Sequence, residues 1–271
     1  MELLATRTRG AALPSPARRL IGAMRHELTR VMGRARLYVA VAAMAAAGSA
    51  MIVSGRGELI AGSQGVLAKT GPMLFLGTLD QASLLLFFWP LIVGGTLAED
   101  VSGGLIGPLL TRAGSWGTWL GAKVASAYLA AFASMMALGG IWAAVAALSA
   151  PWDTAGLGSV LPFAGALAER NPLLFGLVCC GVLALAATTV TAVSMLVGSF
   201  GAAPLTSQAV TVVVYLGALF LLPGPLNPGD RSAFLTTFAA WNTPAATIGY
   251  WWAVLVSLVV ALRVVIVARE V

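Results

Sequence analysis

Long stretches of this chain carry no charged side chain at all: Leu37–Ser54, Gln81–Ala98, Val124–Ala150, Pro172–Val197, Ala203–Leu222 and Ala245–Leu262. About twenty apolar residues in a helix cross a bilayer core of about 30 Å. Such a segment must satisfy its backbone internally, which in one chain of this pattern means helices. The repetition of these runs is the constraint from which everything else follows. The chain is 59% hydrophobic and 10% charged, whereas soluble domains carry about 25% charged residues. An ordinary soluble globule is excluded, and 271 residues leave no room for a separate soluble domain beside six spans.

The expected fold is therefore an all-α integral membrane protein with six transmembrane helices. The spans are expected at about 37–54, 74–98, 124–150, 172–197, 203–222 and 245–267, within one domain covering 14–271. Residues 1–13 are short, basic and without an apolar period, and read as a disordered tail. Ser15-Pro16 is a helix-start signal, a capping serine with proline at the first helical position. From there Leu20, Met24, Leu28 and Val31 recur in steps of four and three, with Arg18, Arg25 and Arg36 off the stripe. Residues 15–36 thus read as a basic amphipathic helix at the membrane surface. His26, the single histidine, lies on it beside Arg25 and Glu27 and reads as a surface residue.

Charge distribution gives the sidedness. Eight basic residues precede residue 37, and Arg112, Lys123, Arg263 and Arg269 fall on the same side of a six-span chain; Arg56, Lys69, Arg170 and Arg231 fall on the other. The positive-inside rule places both termini in the cytoplasm of a plasma-membrane protein. The same distribution assigns the net charge of +6 to topology rather than to nucleic acid. No cleavable signal peptide is expected, since the first apolar run begins far into the chain.

Details within the spans are read more locally. Ala42, Ala46 and Ala50 offer a small-residue stripe for helix approach. Trp89-Pro90 should kink the second span. Asp80 is an acid in a span, a functional candidate placed near the boundary. Thr188, Thr189, Thr191 and Ser194 can bond their own helix backbone. The adjacent Cys179 and Cys180 read as small apolar side chains. Phe234, Leu235, Phe238 and Trp241 recur at about helical spacing and suggest a short helix at the outer face. Tyr250, Trp251 and Trp252 suggest an interface belt.

Several chemistries are missing. The lysines, Lys69 and Lys123, follow Ala68 and Ala122, so the Gly-Lys pair of a P-loop is absent. His26-Glu27-Leu28-Thr29-Arg30 lacks the second histidine of HExxH. The lone histidine lies outside the spans, which disfavours a Ser–His protease. No metal-ligand cluster is offered.

Between the second and third spans lies Glu99–Lys123, EDVSGGLIGPLLTRAGSWGTWLGAK. It resembles the cytoplasmic connection between those spans in the type-2 ABC exporter permeases. Glu99 and Asp100 match the acids that end the second span, Gly103-Gly104-Leu105 the turn, and Leu109-Leu110-Thr111 the apolar step. Ser115 matches the family serine and Lys123 the lysine opening the third span. Ala113 and Trp116 depart, standing where proline and arginine are usual. The resemblance implies a permease subunit without catalysis or cofactor of its own. ATP and Mg would sit on two partner ATPase subunits, and a second permease, identical or homologous, would complete the path for an amphipathic or hydrophobic substrate. It also implies that residues 15–36, with Arg18, Arg25, Leu28 and Val31, are the family's elbow helix. Glu99–Lys123 would be the segment that couples to the ATPase, with Leu105, Leu109 and Leu110 as anchors on one face of a short helix starting near Gly107. Glu99 and Asp100 are expected to pair with Arg18 or Arg25. The alternatives are a secondary carrier or channel using Asp80, or a membrane-embedded enzyme or assembly factor; an ATPase gene beside this one would separate them.

Overall fold

The computed structural model describes residues 15–55, 70–161, 164–232 and 243–270. The expected tail at 1–13 and the aromatic segment around Phe234–Trp241 lie outside them. The described residues are all helical or irregular, with no strand. In chain order the helices are α1 (Pro16–Met32), α2 (Ala35–Val53), α3 (Gly71–Gln81), α4 (Leu85–Val93), α5 (Thr96–Ser102) and α6 (Ile106–Ala113). They continue with α7 (Trp116–Ser149), α8 (Leu157–Val160), α9 (Gly165–Arg170), α10 (Pro172–Ser199), α11 (Pro204–Leu221) and α12 (Pro244–Glu270).

Among the described residues, five helices are long and apolar enough to cross a membrane: α2, α7, α10, α11 and the 244–268 part of α12. This is the signature of a multi-pass membrane protein. The expected second span, 74–98, is not one helix. It is α3, a 3-10 turn at Ala82–Leu84, α4 and α5, and no piece alone is long enough to cross. Pro90 does not end its helix, which runs on to Val93; the break comes at Gly94-Gly95. Gly95 takes a left-handed backbone, φ 81°, that glycine adopts without strain.

α10 is the hub. It packs against α7, α12, α11, α5, α4, α9 and α3. Trp89, Trp142, Phe175, Leu79 and Leu86 are buried in the main core around it. The close approach of α2 to α7 is made at Gly48, where an added methyl would run into the Trp142 indole. Trp142 also donates from its indole nitrogen to the Ala45 carbonyl at 3.3 Å. Ala42, Ala46 and Ala50 are exposed instead, so the expected alanine stripe lies on the outward face of α2. Periodicity identified a small-residue face, but the large partner that needed room was Trp142.

A second, smaller apolar cluster closes the opposite end of the bundle from α8 and α9. Leu97, Ala113, Trp119, Leu120, Met195, Leu262 and Ile266 draw α5, α6, α7, α10 and α12 together there. The third span starts earlier than 124, because Ser115 caps α7: its hydroxyl accepts from the Thr118 amide at 3.1 Å. The last eight residues of Glu99–Lys123 are therefore the first two turns of a long helix rather than a connecting loop.

At α12, the aromatic trio divides. Trp252 is exposed, while Trp251 is buried and donates to the Arg231 carbonyl at 3.3 Å. Tyr250 donates to the Leu226 carbonyl at 3.0 Å. Two of the three rings thus hold the preceding turn against α12. Cys179 and Cys180 are free and buried, and Cys180 donates to the Met135 carbonyl.

Candidate functional site

The charged side chains of α1, α5 and α7 meet in one network. α1 begins as its sequence suggests, with the Ser15 hydroxyl accepting from the Arg18 amide and Pro16 at the first position. Its packed face carries Met24, Glu27, Leu28 and Val31, so an acid stands inside the apolar stripe. Glu27 is 2% exposed, Asp100 on α5 is fully buried, and Lys123 on α7 is 2% exposed. The Lys123 ammonium lies 3.0 Å from Glu27 Oε1, to which it donates, and 2.6 Å from Asp100 Oδ2. The second approach is an ion pair off the hydrogen-bonding direction. The Lys123 ammonium also lies 5.1 Å from the Trp119 ring centroid.

Arg30 and Arg34 complete the network. Arg30 donates to Asp100 Oδ1 and, at 2.7 Å, to Glu99 Oε2. Arg34 donates to the same Glu99 oxygen at 2.6 Å, and Arg36 stands 3.9 Å from the other. Burial opposes the charge of Arg30, but Asp100, Glu99 and Glu27 outweigh it and hold its pKa above the ordinary value. At Arg34 burial prevails: Glu99 offsets part of it, Arg36 and Arg30 repel, and the pKa is lowered. A buried charge is tolerated when it is paired and hydrogen-bonded, and here three acids face four cations.

The break at Gly94-Gly95 sits directly above. Its backbone groups, which a continuous helix would have paired, are met by side chains from elsewhere. Gln208 of α11 donates to the Gly94 carbonyl at 2.8 Å, and Arg34 donates to it at 3.3 Å. The Gly95 amide donates to the Ser194 hydroxyl of α10 at 3.0 Å. Ser194 and Ser207 share a hydrogen bond of 2.9 Å. In contrast, Thr188, Thr189 and Thr191 each donate to the carbonyl four residues back in α10, as their sequence suggests. Ser194 departs from that pattern because a broken backbone lies beside it.

The sequence-named residues separate into groups. Asp100 and Lys123 are brought together; Glu99 joins them through Arg30. The acids pair with Arg30, Arg34, Arg36 and Lys123 and not with Arg18 or Arg25, because the helical phase of α1 points Arg30 at α5 while Arg18 and Arg25 remain exposed. Val31 is buried and Leu28 half-buried against the core. Gly103 ends α5, and Gly104 takes φ 64° in the turn to α6. Ser115 caps α7, and Thr111 is exposed with its hydroxyl on the Gly107 carbonyl.

α6 starts at Ile106, with Leu105 just outside it. The three leucines do not form one outward face. Leu105 is 46% exposed, while Leu109 and Leu110 are half-buried against the chain's own second cluster. The outward surface of α6 is Leu105, Pro108, Thr111 and Arg112. Asp80 is 6% exposed, in a helix whose described residues from Gly71 on are buried. It lies inside the packed bundle, not at its rim, because α3 begins well before it.

Sequence reading missed Glu27, Arg30, Arg34, Ser194 and Gln208. Glu27 had a signal, a lone acid in the apolar stripe of a basic helix. Gln208 and Ser194 had none, since their role depends on a backbone break in another helix.

No family model, no curated protein and no solved structure matches the chain.

Proposed function

We propose that this chain is the membrane-spanning permease subunit of an ATP-driven ABC exporter, working with separate ATPase subunits. One observation carries the reading. Acids and a lysine matching that family's motif, Asp100 and Lys123 with Glu99 beside them, converge on the basic helix α1. That convergence joins three parts: α1 as the elbow, the interrupted stack α3–α4–α5 as a sixth crossing, and α6 as the short helix offered to a partner. Movement of α6 would reach α5, and through Gly94-Gly95 the broken crossing, without bending an intact helix. The absent Gly-Lys pair assigns ATP hydrolysis to the partner, and positive-inside counting puts both termini and α6 in the cytoplasm. Lipid, drug, peptide and polysaccharide are all compatible substrates.

The test follows the surface that α6 exposes. Leu105→Glu removes an exposed anchor without touching the core, and should abolish co-purification with the ATPase or uncouple its hydrolysis from transport. Leu109→Ala would disturb the chain's own apolar cluster as well and is the poorer probe. Normal transport by the Leu105→Glu complex refutes the coupling role. Reporters fused at Gly158 and after Val271 should give opposite sidedness; the same sidedness refutes six crossings.

Burial of Asp80 favours a second reading, a secondary carrier in which that acid binds the coupling ion. Asp80→Asn discriminates: abolished transport with ATP hydrolysis intact supports the carrier, and unchanged transport supports the exporter.

A further inference from the structure

A cavity of about 320 Å³ opens between α1, α6 and α7, on the outer side of the buried ion network. Its volume is at the lower end of the range for small-molecule sites. Arg18, Arg19 and His26 line it from α1, Arg112 from α6 and Trp119 from α7, and Glu27 forms part of its wall. On α1, Arg18, Gly22 and His26 are four residues apart and share one flank of the helix.

Two independent observations point to an anion. The first is charge. Three arginines converge on one concave space, and the only acid in its lining, Glu27, is already engaged by Lys123 at 3.0 Å. Among the described residues no carboxylate pairs with Arg18 or Arg112, whereas Glu27, Glu99 and Asp100 pair with Arg30, Arg34, Arg36 and Lys123. The second is an orphaned donor. Trp119 is 1% exposed, and its indole N–H finds no acceptor among the described residues. A buried donor left unpaired is costly, and Trp119 is among the residues that line the cavity.

We propose that this cavity is a binding site for a phosphate monoester. Guanidinium groups match phosphate oxygens in paired, charge-assisted hydrogen bonds. Arg18 and Arg112, neither paired with a carboxylate among the described residues, suit a group of about two negative charges better than a single carboxylate. The phosphate can belong to a soluble metabolite or to a lipid headgroup, since the chemistry recognised is the same. The site shares Glu27 with the ion network and Arg112 with the outward surface of α6, but Leu105 does not line it. Its occupation would brace α6 against α1.

The test uses the full chain in phosphatidylcholine nanodiscs. Two probes carry the same group: glycerol 3-phosphate, followed by equilibrium dialysis, and phosphatidate within the disc, followed by native mass spectrometry. One equivalent of at least one probe should bind. Saturation by glycerol 3-phosphate assigns a soluble source. Retention of a single phosphatidate that glycerol 3-phosphate does not displace assigns a headgroup. Binding should fall at least tenfold in the double variant Arg18→Gln/Arg112→Gln. It should fall similarly in Gly22→Glu, whose added side chain starts in open space and places a carboxylate among the arginines. Arg263→Gln, an exposed arginine on α12, should leave binding unchanged. Equal loss in Arg263→Gln would reduce the effect to general charge attraction and overturn the site. So would failure of both probes, or binding of an acidic peptide where neither phosphate probe binds. None of these readouts depends on transport or on an ATPase.

Discussion

α10 and the α3–α4–α5 stack are both buried and both apolar, yet they solve the problem of the backbone differently. α10 is unbroken from Pro172 to Ser199, and its threonine hydroxyls close on its own carbonyls. Apart from the Asn171 side chain that caps its start, the interior of α10 satisfies its own backbone. The stack is broken at Gly94-Gly95, and side chains from α10, α11 and the α1–α2 junction are recruited to satisfy it. Continuity makes a hub; interruption makes a joint whose stability is held by other helices. The buried ion network lies at the end of that joint, where α5 presents Asp100 to Arg30 and Lys123.

The contrast can be broken most forcibly at Asp100. Asp100→Leu leaves the buried Lys123 and the half-buried Arg30 against an apolar group, and removing one partner of a buried pair costs about 3–5 kcal/mol. Thermal unfolding of the purified protein should show a larger drop than Gly95→Ala, Gly48→Ala or Ser194→Ala. Adding Lys123→Met should recover part of the loss, because two apolar groups replace a broken pair. No recovery would mean that Lys123 is held chiefly by Glu27.

Gly95→Ala tests the joint itself. A side chain at φ 81° is strained, and its methyl would lie 3.2 Å from the Pro204 carbonyl oxygen. A cost of about 1–3 kcal/mol is expected. Gly48→Ala in the unbroken helix α2 should cost a similar amount by a different route, overpacking against Trp142, while Ala46→Leu on the exposed face should be near neutral.

Next comes Ser194→Ala, which orphans the Gly95 amide and should cost about 1–2 kcal/mol. Within α10 itself the effect should be small, as in Thr188→Val. Its hydroxyl only supplements a carbonyl already bonded within α10, so the change should be within about 0.5 kcal/mol. If Thr188→Val proved as costly as Ser194→Ala, the distinction between the two regions would fail.

Much of this was legible in advance for one physical reason. Helix in a membrane is a local decision, made by composition and by the cost of unpaired backbone, so charge-free runs mark α2, α7, α10, α11 and α12 without knowledge of their neighbours. Caps are equally local: Ser15 reads as one in the sequence and stands where α1 begins, whereas Ser115 reads there only as a motif residue, and α7 starts at it rather than at 124. The resemblance in Glu99–Lys123 named Asp100 and Lys123, and both lie at the centre of the ion network.

What the sequence could not supply is which side of a helix another helix would need. The phase of α1 chose Arg30 over Arg18 and Arg25, the α1–α2 junction added Arg34, and the phase of α6 turned Leu109 and Leu110 inward. The volume of Trp142 selected Gly48 over the alanine stripe. The interruption of the second run gave Ser194 and Gln208 their task, and the early start of α3 took Asp80 inside the bundle. Local chemistry determined that helices form and where they start. Only packing decided which polar groups had to find one another, because a buried donor, acceptor or charge is satisfied by whatever lies beside it in space, however distant in the chain.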